Sequence, residues 1–196
     1  PKTVDAALAK AGATKLAALF VAHSHYDHAL DCAYVARTTG ATLYGSASTL
    51  NVGRGGDLPE DRMVKFDHGG EYAAGRFRVR VLAARHSPVI RFLNDDLGQT
   101  IDAPLRQPAG FRDYKEGGAF DFLVQHGRNA ILVNAGGGYV AGARAGLKAD
   151  AVFLTTAVLA AQRPAFQEAF YNETVGAVRP KLVVPIHWDN FMTPLT

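Results

Sequence analysis

Hydrophobic and polar positions along this chain change period repeatedly, and each change marks an element. Asp5–Lys10 is alanine-rich and predicts a short helix stopped by Gly12. Leu16–Ala22 is a continuous apolar run, too short for an amphipathic surface helix, so Lys15–Ala22 reads as a buried strand. The polar run His23–His28 follows as a predicted loop. From Ala29 to Thr39 the positions Leu30, Ala33, Tyr34 and Arg37 keep helical spacing, with Gly40 as the stop. Ala41–Tyr44 is the next predicted strand, which completes a strand–loop–helix–strand unit of the kind that builds parallel pairs.

Further on, Ser46–Val52 predicts a short helix running into a glycine-rich loop at Gly53–Gly56. Met63–Phe66 and Arg76–Ala84 read as strands, with turns at Asp67–Gly70 and around Gly75. Phe120–Gln125 and Ala130–Asn134 flank His126-Gly127-Arg128-Asn129, the signature of a β-hairpin. Ala151–Thr155 is a strand, Pro164–Val175 a helix with proline in its first turn, and Leu182–Ile186 a final strand. Residues 87–118 hold no sustained period. Their apolar members Ile90, Phe92, Leu93, Phe111 and Tyr114 predict a lid-like loop. Strands alternate with helices in both halves, so the class is α/β, expected as a single domain over 1–196.

Composition narrows the picture only in places. A chain of 196 residues with 48% hydrophobic and 20% charged residues can bury a core and reads as an ordinary globular protein. Its net charge of +3 is mildly basic. Arg76, Arg78 and Arg80 alternate with Phe77, Val79 and Val81, which reads as the wet face of a half-buried strand and supports nucleic-acid binding only weakly. A lone cysteine, Cys32, excludes an internal disulfide framework and sits among apolar neighbours, where packing is its expected role. No apolar run reaches membrane-spanning length and no signal peptide is visible, so no membrane span and a cytoplasmic location are expected.

The candidate chemistry is concentrated in His23-Ser24-His25-Tyr26-Asp27-His28, directly after the first apolar strand. Neutral imidazole and carboxylate are preferred ligands of zinc and other borderline divalent metals. Two further histidines, His86 and His187, each follow an apolar strand. Ligands collect at the carboxyl ends of strands in α/β sheets, so these placements predict convergence of the imidazoles and Asp27. His68 and His126 lie in glycine-containing turns and are expected to be solvated.

The phrase His23-Ser24-His25-Tyr26-Asp27-His28 resembles the HxHxDH motif of the metallo-β-lactamase superfamily, and His86 and His187 fall where that superfamily carries its later ligands. The phrases Ala84-Arg85-His86-Ser87-Pro88 and Val184-Pro185-Ile186-His187-Trp188-Asp189 look like its lactonase and phosphodiesterase branch. The resemblance, which covers Leu16 onward, implies an αββα sandwich with two metal pockets. One would take His23, His25 and His86, and the other Asp27, His28 and His187. It implies a hydrolase that uses a zinc-activated water on an ester, lactone or phosphodiester, with one or two zinc ions, or manganese or iron in their place. Asp27 would orient the water or bind the second metal. A small-molecule or lipid-like substrate is implied, and the oligomeric state is left open.

Two features depart from the pattern. The superfamily fold usually has strands ahead of the first histidine motif, so this chain is expected to lack its usual N-terminal strands. A bridging aspartate is also usual after a strand of the second half, where this sequence reads Val133-Asn134-Ala135-Gly136-Gly137-Gly138. These departures leave open a catalytically degenerate protein that keeps metal for folding or partner binding; a nucleic-acid-binding protein or nuclease is the least supported alternative. Tyr26 is expected to pack beside the site and Trp188 to be buried beside the ligand His187, and Asp189 to orient a ligand histidine, cap a helix or lie at the surface. Arg106, Tyr114 and Lys115 are candidate anion contacts. The Gly136–Gly138 run is expected to give backbone room beside the metal.

Overall fold

The computed structural model describes residues 1–90 and 95–189. Phe92 and Leu93 of the expected lid lie outside them. The chain divides into two compact units, one of Pro1–Asp67 with Asp96–Gly118 and one of His68–Asp95 with Ala119–Thr196. Both mix helix and sheet, in keeping with the expected α/β class.

In the first unit α1 (Lys2–Lys10) precedes β1 (Ala18–Phe20), and α2 (Tyr26–Ala29) and α3 (Cys32–Thr39) lead into β2 (Thr42–Gly45). Next come α4 (Ala47–Gly55) and β3 (Met63–Lys65), and the sheet is parallel throughout in the order β1-β2-β3. Gly40 ends α3 in the left-handed region at φ 81°, where a side chain would be strained. Ser46 caps α4 by accepting a hydrogen bond from Thr49 N at 3.3 Å. The helices cover a core of Val21, Ala29, Cys32, Ala36, Leu43, Leu50, Val52, Leu58 and Met63. Ile101 and Tyr114, from the segment expected to form a lid, are buried in this same core. Tyr114 also receives a hydrogen bond from Gln107 Nε2 at 3.0 Å, which makes it an anchor of the unit rather than an anion contact.

Two expectations are corrected here. The histidine-rich segment is only half loop, because Tyr26–Ala29 forms a helical turn. Ala29 N bonds His25 O at 2.9 Å, and the Ala29 side chain is wholly buried in the core. The glycine-rich stretch 53–56 is not a loop but the end of α4. Its glycines are there for proximity: a Cβ on Gly55 would stand 1.8 Å from Leu105 O, and one on Gly53 would stand 2.8 Å from Met63 Sδ.

The second unit is a sheet in the order β4-β5-β6-β7-β8-β9. Antiparallel neighbours β4 (Glu71–Ala74), β5 (Phe77–Ala83), β6 (Phe120–His126) and β7 (Asn129–Asn134) are followed by β8 (Ala151–Thr155) and β9 (Leu182–Ile186), which pair parallel. The β6–β7 turn is as expected, with His126 opposite Asn129 and Gly127 at φ 58°. β4 was not anticipated, because four residues with two alanines carry too little pattern; its pairing with β5 through Gly75 supplies the register. Arg76, Arg78 and Arg80 are exposed while Val79 and Val81 are buried, as the alternation predicted, but Phe77 at the start of β5 is exposed. Between β8 and β9, α5 (Pro164–Tyr171) passes into a π turn over Asn172–Gly176. Phe170, Val175 and Val178 from this stretch pack on Leu82, Leu123, Leu132, Val152 and Leu154.

Candidate metal centre

In the first unit the chain leaves β1 beside β2, with Val21 N bonded to Tyr44 O at 3.0 Å, and reaches His23 at the carboxyl end of the parallel sheet. His23 is 1% exposed. Ser24 is buried next to it and is pinned at both ends: its N donates to Glu116 O at 2.8 Å, and its Oγ donates to Lys115 O at 2.7 Å. The α2 turn then folds the rest of the motif back on itself. The His23 and His28 rings lie 3.9 Å apart between centroids, and the His23 and His25 rings 5.0 Å apart, nearly perpendicular. Asp27 Oδ2 lies 3.3 Å from His28 Nε2, both partly open to solvent. Four of the expected site residues of this unit therefore share one corner. Tyr26 packs against the first core with its ring 6.2 Å from Phe111, and burial pushes its hydroxyl above its ordinary range.

A fifth residue was not anticipated. Asp96 places its two carboxylate oxygens 3.1 and 3.2 Å from His25 Nε2. It lies 71 positions away in an aperiodic segment, where an aspartate carries no signal that distinguishes it from solvated neighbours.

In the second unit His86 follows β5 and forms an isolated bridge with Gly137. Ser87 N bonds Gly136 O at 2.7 Å, and Ser87 Oγ lies 3.2 Å from His86 Nδ1. The glycine run gives room for a neighbouring backbone: a Cβ at Gly138 would sit 2.4 Å from Arg85 O and 2.5 Å from His86 O. His187 follows β9 with φ 50°, a left-handed backbone that is rare for a residue with a side chain. The chain turns there, and Trp188 is 71% exposed; the expected burial of this tryptophan is thus overturned. His68 and His126 are exposed and rest on Phe120 and Phe77.

Asn134, at the end of β7, is fully buried, and its Nδ2 donates to both oxygens of Asp121 at 3.1 and 3.3 Å and to Gly138 O at 3.0 Å. Asp121 is also paired with Arg144, and neither side chain is exposed. Burial pushes the Asp121 carboxyl up, while Arg144 and Asn134 pull it back. Asn134 is thus held by a buried ion pair behind the glycine run that accommodates His86.

No family model matches this sequence. It is 34% identical over 106 residues to a UPF0173 metal-dependent hydrolase of Chloroflexus aurantiacus, covering 52% of this chain and 43% of that protein. It is 27% identical over 180 residues to the UPF0173 metal-dependent hydrolase of Roseiflexus castenholzii, covering 90% of this chain and 65% of that one. The chain therefore spans between 43% and 65% of the length of these two relatives. Among solved structures, Igni18, a metallo hydrolase from Ignicoccus hospitalis, superposes with a TM-score of 0.56 at 17% identity, over 88% of this chain and 64% of that chain. CmlA, a diiron β-hydroxylase from Streptomyces venezuelae, superposes with a TM-score of 0.52 at 17% identity, over 89% and 36%. The chain is thus similar in sequence to UPF0173 metal-dependent hydrolases and shares its fold with a metallo hydrolase, which supports the resemblance of its histidine motif to the metallo-β-lactamase superfamily.

Proposed function

We propose that this chain is part or all of a metal-dependent hydrolase acting on an ester, lactone or phosphodiester. The observation that carries the reading is the clustering of His23, His25, His28 and Asp27 on one short turn, with His23 buried. The donor set fits the metal: imidazole nitrogens and a carboxylate are what zinc takes. His23, His25 and His86 are proposed as one ligand set, and Asp27, His28 and His187 as the second. Zinc bound there would supply a water of lowered pKa and polarise the scissile oxygen. Manganese and iron are the alternatives, and iron is what CmlA, a diiron β-hydroxylase of the same fold, carries.

Within this scheme Asp27 accepts a hydrogen bond from the attacking water and fixes its direction. His28 beside it restrains the carboxylate, and the buried wall formed by His23 and Ser24 keeps bulk solvent from one side. The relatives' names support hydrolysis and do not select a substrate. Zinc-loaded protein is expected to turn over bis(p-nitrophenyl) phosphate or a simple lactone and to lose that turnover on chelation. Stoichiometric zinc with no turnover of either class overturns the hydrolase reading.

One observation favours a second reading, a protein that keeps its metal for folding or binding. The residue ending β7 is Asn134, a neutral amide whose nitrogen is already committed to Asp121 and Gly138. A neutral amide is a weak bridge between two cations, so one ion per chain fits this residue better than two. Loss of thermal stability on chelation without any turnover would select this reading.

A further inference from the structure

We infer that Asp96 is a positioning residue for His25, fixing the imidazole so that Nδ1 rather than Nε2 faces the metal; the inference rests on the proposed metal site. Both Asp96 oxygens lie within hydrogen-bond reach of His25 Nε2, at 3.1 and 3.2 Å. A carboxylate can only accept, so the ring nitrogen between its oxygens carries the proton. A neutral imidazole protonated at Nε2 holds its lone pair at Nδ1, and a metal binds the lone pair. A carboxylate on the far nitrogen also raises the basicity of a ligand histidine and locks its ring plane.

The carboxylate is itself held. Asp96 Oδ2 accepts from Glu116 N at 3.0 Å, the Glu116 carboxylate accepts from Gly98 N, and Gly117 N donates to Gln99 O at 2.9 Å. The same strap is fastened to the motif from its other side, where Ser24 N donates to Glu116 O at 2.8 Å. Gly117 makes the close approach possible: at φ 65° a Cβ there would stand 2.2 Å from Ser24 Oγ. Asp96 and the histidine motif are thus fastened to one short piece of backbone. Their side chains are 15% and 13% exposed, which limits competition from water for the contact.

The test uses the whole chain and zinc alone. Long-range proton–nitrogen spectra of the metal-free protein at neutral pH report the His25 tautomer, and titration against a competing chelator reports zinc affinity. The expected results are a proton on His25 Nε2 and coordination shifts at Nδ1 on adding zinc. Asp96→Ala is expected to weaken zinc binding about 10–100-fold, and Asp96→Asn, whose Oδ1 still accepts, is expected to recover part of the loss. A proton on Nδ1, zinc shifts at Nε2, or unchanged zinc affinity in Asp96→Ala overturns the inference. A loss as large in Asp96→Asn as in Asp96→Ala, with the tautomer unaltered in both, also overturns it by reducing Asp96 to a prop for the strap. Wild-type protein that takes up no zinc fails the metal reading itself, and the spectrum of the metal-free chain tells the two failures apart.

Discussion

Arg144 and Asp121 form a fully buried ion pair, and neither stands in the histidine cluster. Nε and Nη1 of Arg144 and Oδ1 of Asn134 have no hydrogen-bonding partner among the described residues, so the network is only partly satisfied. A pair of this kind does more harm when halved than when removed whole. Arg144→Met is expected to cost about 3–5 kcal/mol in urea unfolding, and adding Asp121→Leu to it should restore part of that loss. Cys32 offers a second residue-scale test. Burial pushes its thiol up to about 12. A raised folded-state pKa contributes stability below the unfolded thiol's pKa and loses it as pH rises through the folded value. Between the unfolded thiol's value and about 12, alkaline unfolding should thus be easier in wild type than in Cys32→Ala after correction for the packing loss at neutral pH. Native Cys32 should resist thiol reagents at pH 8 and react once the chain is unfolded.

At the scale of elements, glycine is the residue whose meaning depended on context. In the β6–β7 turn Gly127 supplies a positive φ, which is the role its neighbours advertise, and the hairpin was legible for that reason. In α4 Gly53 and Gly55 look like the same signal, yet they serve close packing in a helix, because the atoms they admit belong to Met63 and Leu105, residues far along the chain. Gly55→Ala is accordingly expected to destabilise by about 1–3 kcal/mol through overpacking, in spite of alanine's better helix propensity; thermal melts of the variant check it. The candidate site divides along the same line. Its five expected histidines and one carboxylate stood out because their residue types cluster or follow apolar strands. Asp96 did not, because a contact across an aperiodic segment leaves no local trace. Trp188 was misjudged for a related reason: it stands exposed just after the left-handed His187, and no pattern of hydrophobicity announces a backbone angle.

At the scale of the molecule, the chain starts in the first unit, enters the second at His68, returns over Asp96–Gly118, and leaves again at Ala119. The returning stretch carries Ile101 and Tyr114 into the first core and brings Asp96 to His25. The hydrophobic interior of the first unit is thus completed only by residues 96–118, which follow the opening strands of the other sheet in the chain. A peptide ending at Asp67 is expected to give a coil-like circular dichroism spectrum; a cooperative melt from it would show that the return pass is dispensable. Any fusion, split-protein reporter or truncation of this chain must therefore treat residues 1–118 as one indivisible order of assembly, whatever the apparent boundary at 67 suggests.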